Sequence, residues 1–358
     1  MKRWICIFFF ALLLTVDAKA AELPRELTDA QPEAAGMLKN TDLSSPAGFA
    51  GGVETILEQI SRQVGTVLRQ RLRGAASILL VVVACGAVDG FAQGTGGEKA
   101  AAYLPMAGAL AVTLLTAGSL DDLIGLGAET IESLNVFSKA LLPTLAAATA
   151  AAGAITTATF QQVTTAFLAD LLLTLINGLL LPLVYLYIGA LAAGACLPEN
   201  RLGAIAEGLK KVITWILTTS LLLFTVYLSI VRIVAGAADG ASVKVAKAAI
   251  SGIVPVVGGI IAEATETVLA GAGMLKNTIG VFGMLAILAA CAYPFLQLGI
   301  QYLLYKLAAF LAAAIGSPGL CKLIDGLGGA FGLILGMTGS CALLLFISVL
   351  ASVSAVVP

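Results

Sequence analysis

The chain has 358 residues, of which 59% are hydrophobic and 11% charged, with a formal net charge of −1, a mean hydropathy of +1.01 and no histidine. Ordinary soluble domains carry about 25% charged residues, so the composition excludes a water-soluble globule and indicates a polytopic membrane protein. The near-neutral balance offers no basic surface for nucleic acid, and the lack of histidine removes the commonest general base, proton shuttle and metal ligand together.

At the N-terminus, Lys2 and Arg3 precede an apolar run from Trp4 to Val16, and Ala18-Lys19-Ala20 supplies the small residues a signal peptidase requires. The run is short for a bilayer core of about 30 Å, so residues 1–20 are expected to be a cleaved signal peptide, with an uncleaved anchor as the alternative. Residues 21–73 form an extracytoplasmic polar segment. Its first part, with Pro24, Pro32 and Pro46, reads as loosely ordered. Its second part, 52–73, places Ile56, Ile60, Val64, Val67 and Leu68 at helical spacing. That amphipathic helix can lie on a membrane, on a partner or over the bundle's own surface.

From 74 to 358 apolar runs follow almost without pause. Spans are expected near 74–91, 101–118, 136–155, 171–197, 212–234, 278–303 and 327–357, with shorter apolar pieces at 248–275 and 307–316. Pro143, Pro182 and Pro294 fall inside these runs and predict bent helices, tolerable in lipid where neighbours re-satisfy the freed carbonyls. An ionisable side chain at a helix centre costs about 2.5–3.5 kcal/mol on the insertion scale. Asp89, Lys139, Asp170 and Arg232 lie near the ends of the expected spans, where they can snorkel or face a loop. Orientation cues conflict, because a cleaved signal peptide exports Arg69, Arg71 and Arg73, whereas the positive-inside rule retains them. Cys85, Cys196, Cys291, Cys321 and Cys341 are scattered without a CxxC pair and read as buried thiols.

The stretch 235–280 is the most informative. Two short helices, roughly 242–254 and 260–276, flank Val254-Pro255-Val256-Val257-Gly258-Gly259, where Pro255 removes a backbone donor and Gly258 and Gly259 permit a reversal. The expectation is a broken-helix or re-entrant hairpin over 241–276. Lys244 and Lys247 share one helix face and Glu263 and Glu266 another, at i, i+3. A reversal at the break brings Lys247 level with Glu266. With Asp239, these four residues form either the wall of a polar conduit or a buried clamp that fixes the hairpin, and a buried pair alone is weak evidence for function.

In the last span Gly328, Gly332, Gly336 and Ser340 recur every fourth position, a smooth stripe against which another backbone, of this chain or of another copy, can pack closely. The repeated Ala-Gly-Met-Leu-Lys-Asn-Thr at 35–41 and 272–278 has no matching flanks and reads as coincidence.

Asp239-Gly240, Lys247, Val254-Pro255-Val256-Val257-Gly258, Glu266-Thr267-Val268, Lys276-Asn277, Gly280, Tyr293-Pro294 and Tyr305-Lys306-Leu307-Ala308-Ala309 resemble the stage III sporulation protein AE family of endospore formers. The layout of signal peptide, polar segment and many spans resembles that family as well. The resemblance implies a multi-pass protein of the mother-cell membrane surrounding the forespore. It would join the other stage III sporulation A proteins and stage II sporulation protein Q in a channel or secretion-like complex that sustains forespore development. The chain has no GxxxxGK[ST] phosphate loop and is not expected to be the ATPase of such an assembly.

The expected fold is therefore all-α, a polytopic membrane helical bundle of about seven to nine spans with broken or re-entrant helices, after a signal peptide and an amphipathic segment. Membrane lipid is an expected partner, nucleic acid is not, and a homo-oligomer stays open. No catalytic, cofactor or metal site is expected, and the chain is read as not an enzyme, since Asp170, Glu263 and Glu266 lack a nucleophile or base in register. The alternative is a self-sufficient small-solute transporter or permease with a site at its broken helices.

Overall fold

The structure is a computed structural model. It describes residues 23–39, 41, 43, 46–94, 103–196, 201–253, 258–314 and 318–354, with backbone alone for 46–47, 92–94, 201, 232, 236, 240–253 and 258–267. The signal-peptide segment 1–20 and Pro255 lie outside the described residues.

All regular structure among the described residues is helical. In chain order the elements are α1 (Arg25–Ala30), α2 (Pro32–Met37), α3 (Pro46–Gly94), α4 (Leu104–Ala151), α5 (Ile155–Leu175), a π-helical turn (Ile176–Leu180), α6 (Leu181–Cys196), α7 (Arg201–Ile253), α8 (Gly258–Ala312) and α9 (Pro318–Val353). A helix satisfies every backbone donor and acceptor within one segment, which is the requirement lipid imposes.

The described helices are longer than the apolar runs suggest. Among the described residues six segments are long and apolar enough to cross a membrane: Gly48–Phe91, Leu104–Ala151, Ile155–Cys196, Leu202–Asp239, Val268–Ala312 and Pro318–Val353. The expected spans at 101–118 and 136–155 are parts of the single helix α4. Asp121, Asp122, Glu129 and Glu132 between them do not interrupt it, because Leu123, Ile124, Ile131 and Leu134 keep one face buried while the carboxylates face outward. At about 1.5 Å per residue α4 is about 72 Å long, well over the hydrocarbon thickness of about 30 Å.

Of the expected short helices 242–254 and 260–276, the part up to Ile253 is continuous with α7 and the part from Gly258 onward with α8, while 254–257 lie outside the described residues. Glycines in 236–240 do not stop α7, since one glycine costs only about 1 kcal/mol relative to alanine and the surrounding alanines are the best helix formers. The amphipathic segment is continuous with the first apolar helix, forming α3, and Gly52, Ile56 and Val67 of that segment turn toward Leu285, Ala289 and Ala292 of α8.

Three local signals shape the bundle. Gly153 has φ 92°, the one positive φ among described residues. It lets the chain leave α4 with the Ala154 N–H donating to the Thr149 carbonyl at 3.2 Å, a glycine-dependent helix stop. Pro182 has no N–H to give the carbonyl four residues earlier, and the preceding turn widens so that the Leu181 N–H donates to Ile176 O. Pro143 and Pro294 stay within α4 and α8.

The core is built on α8 and α9, which run antiparallel and are enclosed by the other long helices. Phe137 of α4 meets Phe282 of α8 edge to face at 6.5 Å between centroids, and Tyr305 of α8 meets Phe331 of α9 at 5.1 Å. Gly283 lies against Leu141, and Gly280 against Val349 and Val353.

Candidate functional site

Two clusters of polar side chains join helices distant in the chain, apart from the larger groove lined by Glu33, Gln59, Arg62, Gln63, Thr66 and Gln70. The first is a groove where α3, α4 and α8 meet, a cavity of about 350 Å³ lined by Arg71, Asp121, Asp122, Gly125, Leu126, Glu129 and Gln297. Arg71 Nη2 donates to Gln297 Oε1 at 2.5 Å. From Gln297 a polar ladder descends α8 at i, i+4 and i+8. Gln301 is buried, and its Oε1 has no hydrogen-bond partner among the described residues. Tyr305 is buried and its hydroxyl donates to Thr116 Oγ1 at 3.1 Å, while the Thr116 hydroxyl donates to Val112 O at 2.8 Å. Three carboxylates facing one guanidinium leave the groove net acidic, and the ladder continues its polarity into an otherwise apolar core. Such an arrangement attracts cationic groups and supplies hydrogen-bonding positions along a helix face; it holds no nucleophile beside a base.

The groove sits in the middle of α4, where the sequence suggested a loop between spans. The missed signal is the spacing of Gln297, Gln301 and Tyr305, three polar residues on one helix face inside an apolar run. Arg71 entered the sequence reading only as an orientation cue.

The second polar place is the end of α7. Asp239 is 3% exposed, and its two carboxylate oxygens accept the backbone N–H groups of Thr156 and Thr157, each at 2.8 Å. These are orphan donors of the first turn of α5, whose own N-cap residue, Ala154, has no side chain to cap them. A carboxylate from another helix takes that place and also meets the positive end of the α5 dipole. A seam of small polar contacts continues alongside: Gln161 Nε2 donates to Ser348 O at 3.0 Å, Thr165 and Ser348 share a hydroxyl contact at 2.6 Å, and Thr149 and Ser352 share another at 3.2 Å. Asp239 is thus a clamp between helices, with both oxygens occupied.

The remaining sequence-derived site residues divide as follows. The side chains of Lys244, Lys247, Glu263 and Glu266 lie outside the described residues, and the Lys247–Glu266 pairing with them. Gly258 and Gly259 are in helical conformation as the first residues of α8. Gly328 and Gly332 face Tyr305 and Tyr302 of α8, and a Cβ at Gly328 would stand 3.0 Å from the Tyr305 Cβ. Gly336 turns toward Leu217 of α7. Asp170, expected near a span end, lies instead well inside the segment Ile155–Cys196. Among the described residues no group of three or more His, Cys, Asp or Glu side chains is placed to hold a metal ion.

The sequence profile of stage III sporulation protein AE matches residues 47–356. The chain belongs to the stage III sporulation protein AE family. The match begins at the second residue of α3 and runs past the end of α9, so the groove, the Asp239 clamp and the glycine stripe all lie within the part shared with the stage III sporulation protein AE family. A stage III sporulation protein AE of Bacillus subtilis (strain 168) is 26% identical over 216 residues, which cover 60% of this chain and 54% of the relative. The matched region therefore spans little more than half of that relative's length. No solved structure matches the chain.

Proposed function

We propose that the chain is a multi-pass component of a channel or secretion-like complex linking mother cell and forespore during sporulation, and that it performs no bond chemistry. In this reading it resides in the mother-cell membrane surrounding the forespore, and its partners are the other stage III sporulation A proteins and stage II sporulation protein Q. The observation that carries the reading is the family match across residues 47–356. Six helices among the described residues, each long and apolar enough to span a membrane, support it. So does the acidic groove where α3, α4 and α8 meet, with Gln297, Gln301 and Tyr305 running from it into the core, because a polar path inside an apolar bundle suits a pathway or a fixed contact.

The test is deletion of the gene in its host, scoring forespore development and heat-resistant spore counts. Loss of spores, restored by the intact gene, is expected. Complementation by Arg71→Ala and by Glu266→Ala then separates a working polar site from a clamp: reduced spores at normal protein level favour the former. Normal sporulation in the deletion strain overturns the reading, and solute movement by the purified chain alone in liposomes favours a transporter instead.

A further inference from the structure

The surface of the bundle carries two opposite charges at membrane depth that the described residues leave unpaired. Asp170 on α5 and Lys139 on α4 are both exposed, and neither has a hydrogen-bond or ion-pair partner among the described residues. Their depth follows from the packing. Helices α5 and α7 run antiparallel, held at one end by Thr156 and Thr157 on Asp239 and farther along by Thr164 Oγ1 donating to Tyr227 Oη at 3.2 Å. Six residues beyond Thr164, Asp170 is level with Leu221, in the middle of the uncharged run Val212–Val231. A carboxylate on so short a side chain does not reach the interface from there.

Lys139 stands at the same level. Asn135 and Ser138 of α4 line one small internal cavity together with Ala169, Leu172 and Leu173 of α5. Lys139 follows Ser138 and Asp170 follows Ala169, so each charge projects outward one residue past a group that faces this shared interior. Around them the outer faces are apolar: Val163 and Phe167 are each 65% exposed, Leu171 52% and Val136 50%. Glu132, the neighbouring outward charge on α4, is seven residues and about 10 Å away along the axis.

We propose that the outer faces of α4 and α5 form a two-fold contact between two copies of this chain, with Asp170 of each copy paired to Lys139 of the other. A two-fold axis along the membrane normal preserves depth, so charges at one level on one copy meet charges at that level on the second, and the contact is self-complementary. Pairing removes both charges from lipid, and Val136, Val163, Phe167 and Leu171 supply the surrounding apolar contact. This inference is independent of the sporulation reading, because it concerns only how two copies meet.

The experiment uses full-length chains with two different tags, co-expressed in the host membrane. An Asp170→Lys copy and a Lys139→Asp copy restore both pairs in mixed dimers and oppose like charges in each self-pair. Mixed recovery is expected to match the unsubstituted chain, while recovery of either variant with itself falls about tenfold or more. A pair within one chain predicts no such selectivity, and equal recovery in all combinations overturns the proposal. Should either variant fail to accumulate, an Asp170→Cys copy and a Lys139→Cys copy answer the same question. A disulfide-linked species carrying both tags, above the background of the native cysteines, supports the contact, and its absence overturns it.

Discussion

The central pair α8–α9 and the outer helices α3 and α7 are almost equally apolar yet differently placed. The most apolar windows of the four have mean hydropathies of 2.1, 2.3, 2.0 and 2.1, whereas 61% of the window is buried in α8 and in α9, against 17% in α3 and 25% in α7. Oiliness therefore does not decide which helix is central. Lipid tails are as apolar as leucine, and helices associate where small residues let atoms approach closely. Glycines contribute to the distinction. In α8 and α9, Gly280, Gly283, Gly326, Gly328 and Gly332 each face a neighbouring side chain, although Gly271, Gly273, Gly299 and Gly319 do not; in α3 Gly52 lies against Leu285, while Gly51, Gly65, Gly74 and Gly90 face open space.

That contrast predicts a graded response to substitution, readable as the thermal midpoint or protease resistance of the detergent-solubilised protein. Gly328→Leu drives a branched side chain into Tyr305 and is expected to destabilise by about 3 kcal/mol or more; an unchanged midpoint would show that the α8–α9 contact is not the packed centre. Asp239→Ala leaves two first-turn donors of α5 without their carboxylate and should cost about 2 kcal/mol, with enhanced proteolysis near Gly153 as the local sign. Tyr305→Phe removes the bond to Thr116 while keeping the ring against Phe331, for a loss of about 1 kcal/mol. Gly65→Ala in α3 meets nothing and removes glycine's entropic cost, so a gain of about 0.5 kcal/mol is expected; a loss there would mean that the outer helix is covered by a partner in the purified state.

Much of the architecture was legible in the sequence. Composition identified the all-helical membrane class, and the quoted residues between Asp239 and Ala309 pointed to the family that the profile match shows. The helix boundaries were less legible, because hydropathy alone separates 101–118 from 136–155 although burial on one face keeps α4 continuous through its four carboxylates. Asp239 was grouped with residues read as either a polar wall or a buried clamp, but no local pattern could reveal that its partners are backbone donors of a distant helix. The groove escaped notice for a similar reason. Arg71, Asp122 and Gln297 are far apart in the chain, and only the crossing of α3, α4 and α8 brings them together.

The Asp239 clamp has a consequence for biogenesis. The carboxylate that closes the start of α5 is encoded 82 residues after Thr157, so at a synthesis rate of about 5–20 residues per second it emerges roughly 4–16 seconds later. During that interval the first turn of α5 is without the carboxylate that closes it in the folded bundle, so water or another acceptor must serve those two donors until Asp239 arrives.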